Sequence, residues 1–196
     1  MPDGQAPVMD LFEKTGAYLR GHFRLTSGKH SPEYLQSALV LQYPAYAEQL
    51  GRLMAEAFRR ATPEPIQTVA APALGGLIIG HEADRALGAR FLFTERDAAG
   101  NMSLRRGFHF TPGEAVVVVE DVVTTGGSAR EVVEIAQAAG ARVLAAGSII
   151  DRSGGSVNLG LPRIALKTLH VATYEAGRCP MCDAGIPVVK PGSRAA

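Results

Sequence analysis

Hydrophobic positions along this chain follow two rhythms. The run Val116, Val117, Val118, Val119 is β-branched with no polar alternation, the pattern of a strand buried on both faces in a parallel sheet. Similar apolar runs at 66–71, 90–93, 143–150 and 164–171 predict four more strands. Over 44–60, Tyr46, Leu50, Leu53, Met54, Ala57 and Phe58 recur at helical spacing behind Pro44, a residue suited to a first turn. Helices are also predicted over 8–20, with Leu11, Phe12, Tyr18 and Leu19 as buried positions, over 77–87 with a stop at Gly88, and over 129–139 with a stop at Gly140. Strands alternating with helices at this spacing imply right-handed crossovers and a parallel sheet.

Polar segments punctuate this pattern. Residues 21–31 are dense in turn formers and polar donors, which fits a solvated loop or a loop closing over a polar ligand. Residues 94–106 place charges around a small centre, as in an exposed hairpin or a lid. The end of the chain, through Gly192, Ser193 and Arg194, reads as a loosely ordered tail.

Composition narrows the class. With 196 residues, 46% hydrophobic and 20% charged, the chain fits one globular domain with an elaboration. A net charge of +1 gives no broadly basic face for nucleic acid. No apolar run approaches the roughly 18 residues that would predict a membrane span, and the first residues carry no secretory pattern. Two cysteines give no disulfide framework, so a reducing cytoplasm is expected.

Ligands of open parallel sheets bind beyond the carboxyl ends of the strands. Three turns fall there: residues 72–76, 120–128 and 151–152. The last two apolar residues of the long strand, Val122 and Val123, lead into Thr124, Thr125, Gly126, Gly127 and Ser128, which offer hydroxyls and backbone N–H groups to a phosphate at a helix start. Glu120 and Asp121 would repel a lone phosphate. They suit ribose hydroxyls, which donate hydrogen bonds, or a divalent cation. Together these residues point to a ribose phosphate.

Dinucleotide, P-loop, nucleophile-elbow and zinc-protease motifs are absent. The five histidines look scattered and are expected at surface or packing positions. Cys179 and Cys182 form half of a zinc site with no second cysteine pair, so a metal would require two subunits to pool their cysteines.

Residues 117–128 resemble the phosphoribosyl-pyrophosphate motif of type I phosphoribosyltransferases. The set Gly21, His22, Phe23, Leu25, Ser27, Gly28, His30, Ser31, Tyr34 and Gln36 is similar to the N-terminal signature of the orotate phosphoribosyltransferase family. Pro72, Ala73, Gly75, Gly76, residues 104–108, Asp151, Arg152 and the tail from Cys179 extend the likeness over nearly the whole chain.

The resemblance implies an α/β fold, a parallel sheet with helices on both faces. A small hood would come from about residues 1–40 and 165–196, and the core from about residues 41–164 of one domain. It implies transfer of ribose 5-phosphate from phosphoribosyl pyrophosphate to orotate in pyrimidine biosynthesis, with Mg²⁺ as cofactor and a homodimer sharing its active site. Residues 120–128, Ala73, Gly75 and Arg96 would hold the donor; Thr124, Arg152, Ser27 and Lys29 would hold orotate. Asp121, Arg96, Arg105 and Arg106 would be catalytic.

Two departures stand out. The catalytic loop lacks the family's lysines and histidine, leaving Arg96, Arg105 and Arg106, with Lys29 a further cation. Thr26 and Gly75 stand where many members carry lysine. A purine or uracil enzyme and a donor-sensing regulator are the competing readings. Arg152 and the signature over 21–34 argue against the first, and the near-neutral charge lends the second little support.

Overall fold

A computed structural model describes residues 6–25 and 27–191. Thr26 and the end of the expected tail, 192–196, lie outside the described residues. The chain begins with α1 (Ala6–Lys14), a hairpin of β1 (Tyr18–Arg24) and β2 (His30–Leu35), then α2 (Ala38–Leu41) and α3 (Pro44–Ala61). β3 (Thr68–Pro72), α4 (Gly76–Leu87), β4 (Arg90–Arg96) and β5 (Met102–Leu104) follow. The second half contains β6 (Ala115–Val123), α5 (Gly127–Ala138), β7 (Arg142–Asp151) and β8 (Arg163–Thr168). A 3₁₀ turn, Ala176–Arg178, and α6 (Pro180–Asp183) close the chain.

The main sheet runs β5-β4-β3-β6-β7-β8, parallel except where β5 returns against β4. From β3 the chain steps outward one way, and from β6 it steps the other. Right-handed crossovers in opposite directions put their helices on opposite faces. Alternate valines of β6 accordingly enter two cores. Val117 and Val119 pack with Leu50, Met54 and Phe58 of α3 and Ile79 and Ala83 of α4, while Val116 and Val118 pack with Val132, Val133 and Ala136 of α5. Full burial of each valine is worth ~1.5–3 kcal/mol, so β6 is firmly held from both faces.

Two expectations fail at the N-terminal end. The helix predicted over 8–20 stops at Lys14, and Tyr18 and Leu19 belong to β1. Gly16, at φ 65, makes the break. The expected loop at 21–31 is mostly hairpin, β1 reaching Arg24 and β2 starting at His30, with the Leu25 N–H donating to the Lys29 carbonyl at 2.8 Å. The tail is also more ordered than expected. Tyr174 exchanges backbone hydrogen bonds with His30 at 2.8 Å each, and Val189 bridges His22 and Arg24 in the same way at 2.8 Å.

Candidate active site

β3 and β6 are neighbours with the switch in strand order between them, so their turns share one crevice. On the β3 side, Ala73 donates its N–H to the Thr94 carbonyl at 2.8 Å, the Ala73–Leu74 peptide is cis, and Gly75 precedes α4. A Cβ built on Gly75 would lie 2.5 Å from Asp121 Oδ1. Glycine therefore lets this turn approach the β6 carboxylate as it stands, and any side chain here would require the Asp121 carboxylate to shift.

At the end of β6, residues alternate between faces. Glu120 and Val122 join Thr124, Thr125, Gly126, Gly127, Ser128, Arg96, Arg130 and Glu131 in lining an open cavity of about 410 Å³. Asp121 faces the other way, toward Gly75 and the phenol of Tyr34. Gly126 is left-handed at φ 74, and a Cβ there would meet Val157 Cγ1 at 2.5 Å. That tight turn aims the first N–H groups of α5 into the cavity, a ready anion site.

Electrostatics single out the two carboxylates. Burial, reinforced by Asp121 and Glu131 and opposed by Arg96, pushes the Glu120 carboxyl up to about 8. Burial also raises Asp121, against hydrogen bonding from the Val122 N–H. A pair so reluctant to ionise together favours a hydroxyl-rich or cationic ligand beside it.

The three candidate loop cations differ. Arg96 bonds Glu131 at 2.5 and 3.2 Å and the Gly100 carbonyl at 2.7 Å. Arg106, at φ 60, forms a two-point pair with Glu95 at 2.6 and 2.8 Å. Arg105 is exposed, its carbonyl accepts from the Phe108 N–H at 3.0 Å, and its side chain makes no hydrogen bond or ion pair among the described residues, though its charge helps Arg106 to hold the Glu95 carboxyl below the usual range.

On the opposite side of β6, Val123 pairs in register with Asp151, and the Arg152 N–H reaches the Val123 carbonyl at 2.8 Å. Thr124 and Arg152 thus leave adjacent strands side by side. Burial of Asp151 is outweighed by bonds from Ser153 and Arg163, which hold its carboxyl below the usual range. Its bonds to Ser153 and Gly155 fix the loop that carries Arg152. Arg152 Nη2 donates to Ser31 Oγ at 3.3 Å and to the Glu33 carbonyl at 3.2 Å, while its buried Nε has no partner among the described residues.

Ser27 and Lys29 sit exposed in the hairpin turn, Lys29 paired with Glu175 at 3.0 Å. Neither contacts Arg152; Ser31 and the Glu33 backbone do. Ser31 was visible in the N-terminal signature, but its contact depends on the hairpin folding onto β7. A second hollow of about 350 Å³, between α3 and α4, is lined by Glu48, Arg52, Glu82 and Arg85 in mutual ion pairs, the character of a solvated face.

A sheet with this strand order, a phosphate-type turn on β6 and a glycine turn on β3 define a type I phosphoribosyltransferase. In three dimensions the chain is similar to an orotate phosphoribosyltransferase from Aeropyrum pernix, with TM-score 0.71, 26% identity and coverage of 83% of this chain and 93% of that one. It also resembles an adenine phosphoribosyltransferase from Thermoanaerobacter pseudethanolicus, with TM-score 0.60, 16% identity and coverage of 70% and 88%, so the fold alone does not choose the base. No family model matches the sequence. Along the sequence, the orotate phosphoribosyltransferase of Desulforamulus reducens is 52% identical over 187 residues, 95% of this chain and 96% of that protein. The chain belongs to the orotate phosphoribosyltransferase family.

Proposed function

We propose that this chain transfers ribose 5-phosphate from phosphoribosyl pyrophosphate to orotate, giving orotidine 5′-monophosphate and pyrophosphate. Arg152 carries the choice of base. It is a guanidinium at the mouth of the crevice with no carboxylate partner among the described residues and a buried Nε left open. Orotate brings a carboxylate that a guanidinium binds by charge-assisted hydrogen bonds. Uracil and the common purine bases bring none and would leave that Nε unsatisfied. Relatives named for orotate, about half identical over nearly the full chain, support the same reading.

In this reading the N–H groups and hydroxyls of residues 124–128 hold the 5′-phosphate. Glu120 and Asp121 accept hydrogen bonds from the ribose hydroxyls. As the bond to pyrophosphate loosens, positive charge grows on the ribose, and nearby carboxylates oppose it. The backbone at Ala73 and Gly75 flanks the pyrophosphate. Arg105 is the free cation for the departing charge, and Arg96 and Arg106 join only by leaving Glu131 and Glu95.

The carboxylate pair is a donor set compatible with Mg²⁺, since a nearby cation would offset the burial that raises both groups and the repulsion from Asp121 that adds to it at Glu120. Mg²⁺ accompanying the donor would supply countercharge for pyrophosphate. The engagement of Arg96 and Arg106 by Glu131 and Glu95 within the chain supports a homodimer that shares loops between sites. A hood from about residues 1–40 and 165–196 over a core from about 41–164, within one domain, completes the proposal. No helix among the described residues is long and apolar enough to cross a membrane. A cytoplasmic setting is supported by both cysteines being free thiols.

The test follows orotate consumption with phosphoribosyl pyrophosphate and Mg²⁺, beside uracil, adenine and hypoxanthine. Turnover of orotate alone is expected. Arg152→Ala should raise the KM for orotate roughly 10- to 150-fold, the loss of one charged contact of ~1.5–3 kcal/mol, and leave the KM for the donor within about twofold. Unchanged orotate kinetics in that variant would remove Arg152 from the base site.

A further inference from the structure

Outside this crevice, four side chains expected to be unrelated meet. His22 and His30, Cys179 and Cys182 place their potential ligand atoms within 4.8 Å of one another, with all but Cys182 buried. The scattered reading of the histidines therefore fails for these two. Arg24 pairs directly with His30 across the hairpin, and the register shifts between Arg20 and Phe23, so His22 lies in the irregular stretch just before that pair, with its Nε2 2.7 Å from His30 Nδ1. No separation along one strand reveals that. The tail then lays its Cys-x-x-Cys turn over this face, closed by the bond from the Cys182 N–H to the Cys179 carbonyl at 2.9 Å.

The distances suit a tetrahedral N₂S₂ site. Cys179 Sγ lies 3.5 Å from His22 Nε2; Cys182 Sγ lies 3.7 Å from His22 Nε2 and 3.3 Å from His30 Nδ1. Zinc bonds of about 2.05 Å to nitrogen and 2.3 Å to sulfur at tetrahedral angles imply an N···S edge of about 3.5 Å and an N···N edge of about 3.3 Å. The two imidazoles are closer, 2.7 Å apart, and would open by roughly 0.6 Å around a metal. His22 Nδ1 is 2.7 Å from the Ile186 carbonyl, a contact that makes Nδ1 the N–H donor and turns the Nε2 lone pair to the cluster. Such outer hydrogen bonds habitually orient ligating histidines.

A second observation concerns what holds the tail down. Across residues 172–189 only Cys179 is buried, while Ile186, Val188 and Val189 remain about half exposed. A segment with so little apolar burial gains little from the hydrophobic effect, the circumstance in which small folds use a metal.

We propose that His22 Nε2, His30 Nδ1 and the thiolates of Cys179 and Cys182 bind one structural zinc ion within a single chain. The two thiolates neutralise its charge, and four protein ligands leave no open position for catalysis. The ion clamps the tail to the hairpin and fixes both ends of the turn that carries Ser27 and Lys29. Two subunits need not pool cysteines, because the histidines complete the set. Binding here is independent of which base the enzyme uses.

The test uses the full-length chain without an affinity tag, saturated with zinc, freed of excess by gel filtration and assayed for metal. About one zinc per chain is expected, with Cys182→Ser and Cys179→Ser each falling below about 0.2. After removal of zinc, cobalt should give intense tetrahedral ligand-field bands with thiolate-to-cobalt charge transfer, lost in Cys182→Ser. Trypsin should cut the metal-free chain after Arg178 at least about tenfold faster, and zinc should reverse this. Wild type holding less than about 0.2 zinc, a Cys182→Ser protein holding as much zinc as wild type, or cleavage indifferent to zinc would each overturn the proposal.

Discussion

The end of β6 and the N-terminal hairpin both border the candidate active site, and they are built by opposite means. The β6 turn projects from the middle of the sheet, backed by valines fully buried in two cores. The hairpin is a two-stranded sheet of its own, fastened by backbone bonds to Tyr174 and Val189, the Arg152 contacts and the histidine-cysteine cluster. Charged groups can be held half-buried at their own expense where the scaffold is rigid. A thin flap needs polar or metal fastenings, and its position responds to whatever those fastenings bind.

The largest expected effect breaks the rigid side. Asp121→Asn should lower kcat/KM for the donor roughly 10- to 150-fold, from loss of a charged contact of ~1.5–3 kcal/mol, without lowering Tm. A fall in Tm comparable to that of a core cavity would show that Asp121 supports the fold instead.

Next comes pH. Glu120 has its carboxyl raised from the ordinary 4.5 to about 8 in the folded chain. A raised folded pKa means the folded state binds the proton more tightly. Its stability contribution is complete below 4.5 and is lost as pH rises through about 8. Thermal melts without ligand should therefore show Tm falling over that window, and Glu120→Gln should flatten the slope. An identical slope in the variant would show that Glu120 is not the titrating group.

The smallest effect on stability belongs to Arg105→Ala. Being exposed and unpaired, this side chain should change Tm by less than about 1 °C, yet its loss should lower kcat about tenfold or more if it neutralises pyrophosphate. If loops are shared between subunits, mixing Arg105→Ala with Asp121→Asn protein should restore part of the activity. Persistent inactivity of the mixture would argue that each chain supplies its own cation.

Much of the sheet is legible in the sequence. Valine runs with no polar alternation announce burial on both faces, and Gly88 ends α4 at φ 71 as its sequence position implied. Glu120, Asp121 and the Thr-Thr-Gly-Gly-Ser turn lie close together along the chain, so their chemistry could be read as one unit. The hairpin was not legible, because β1 carries Tyr18, Leu19 and Phe23 among polar residues with no clean alternation. Its strands are defined by pairing with each other and with the tail.

By itself, then, the sequence determined the α/β class, the phosphate-and-ribose turn and the family likeness, since each depends on residues a few positions apart. Tertiary structure alone decided that Gly75 abuts Asp121, that Arg152 presents an unpaired Nε beside Thr124, and that His22 and His30 meet Cys179 and Cys182. Those juxtapositions join residues from 28 to 160 positions apart. Local propensity carries no signal across such spans; only the packing of separate elements creates them.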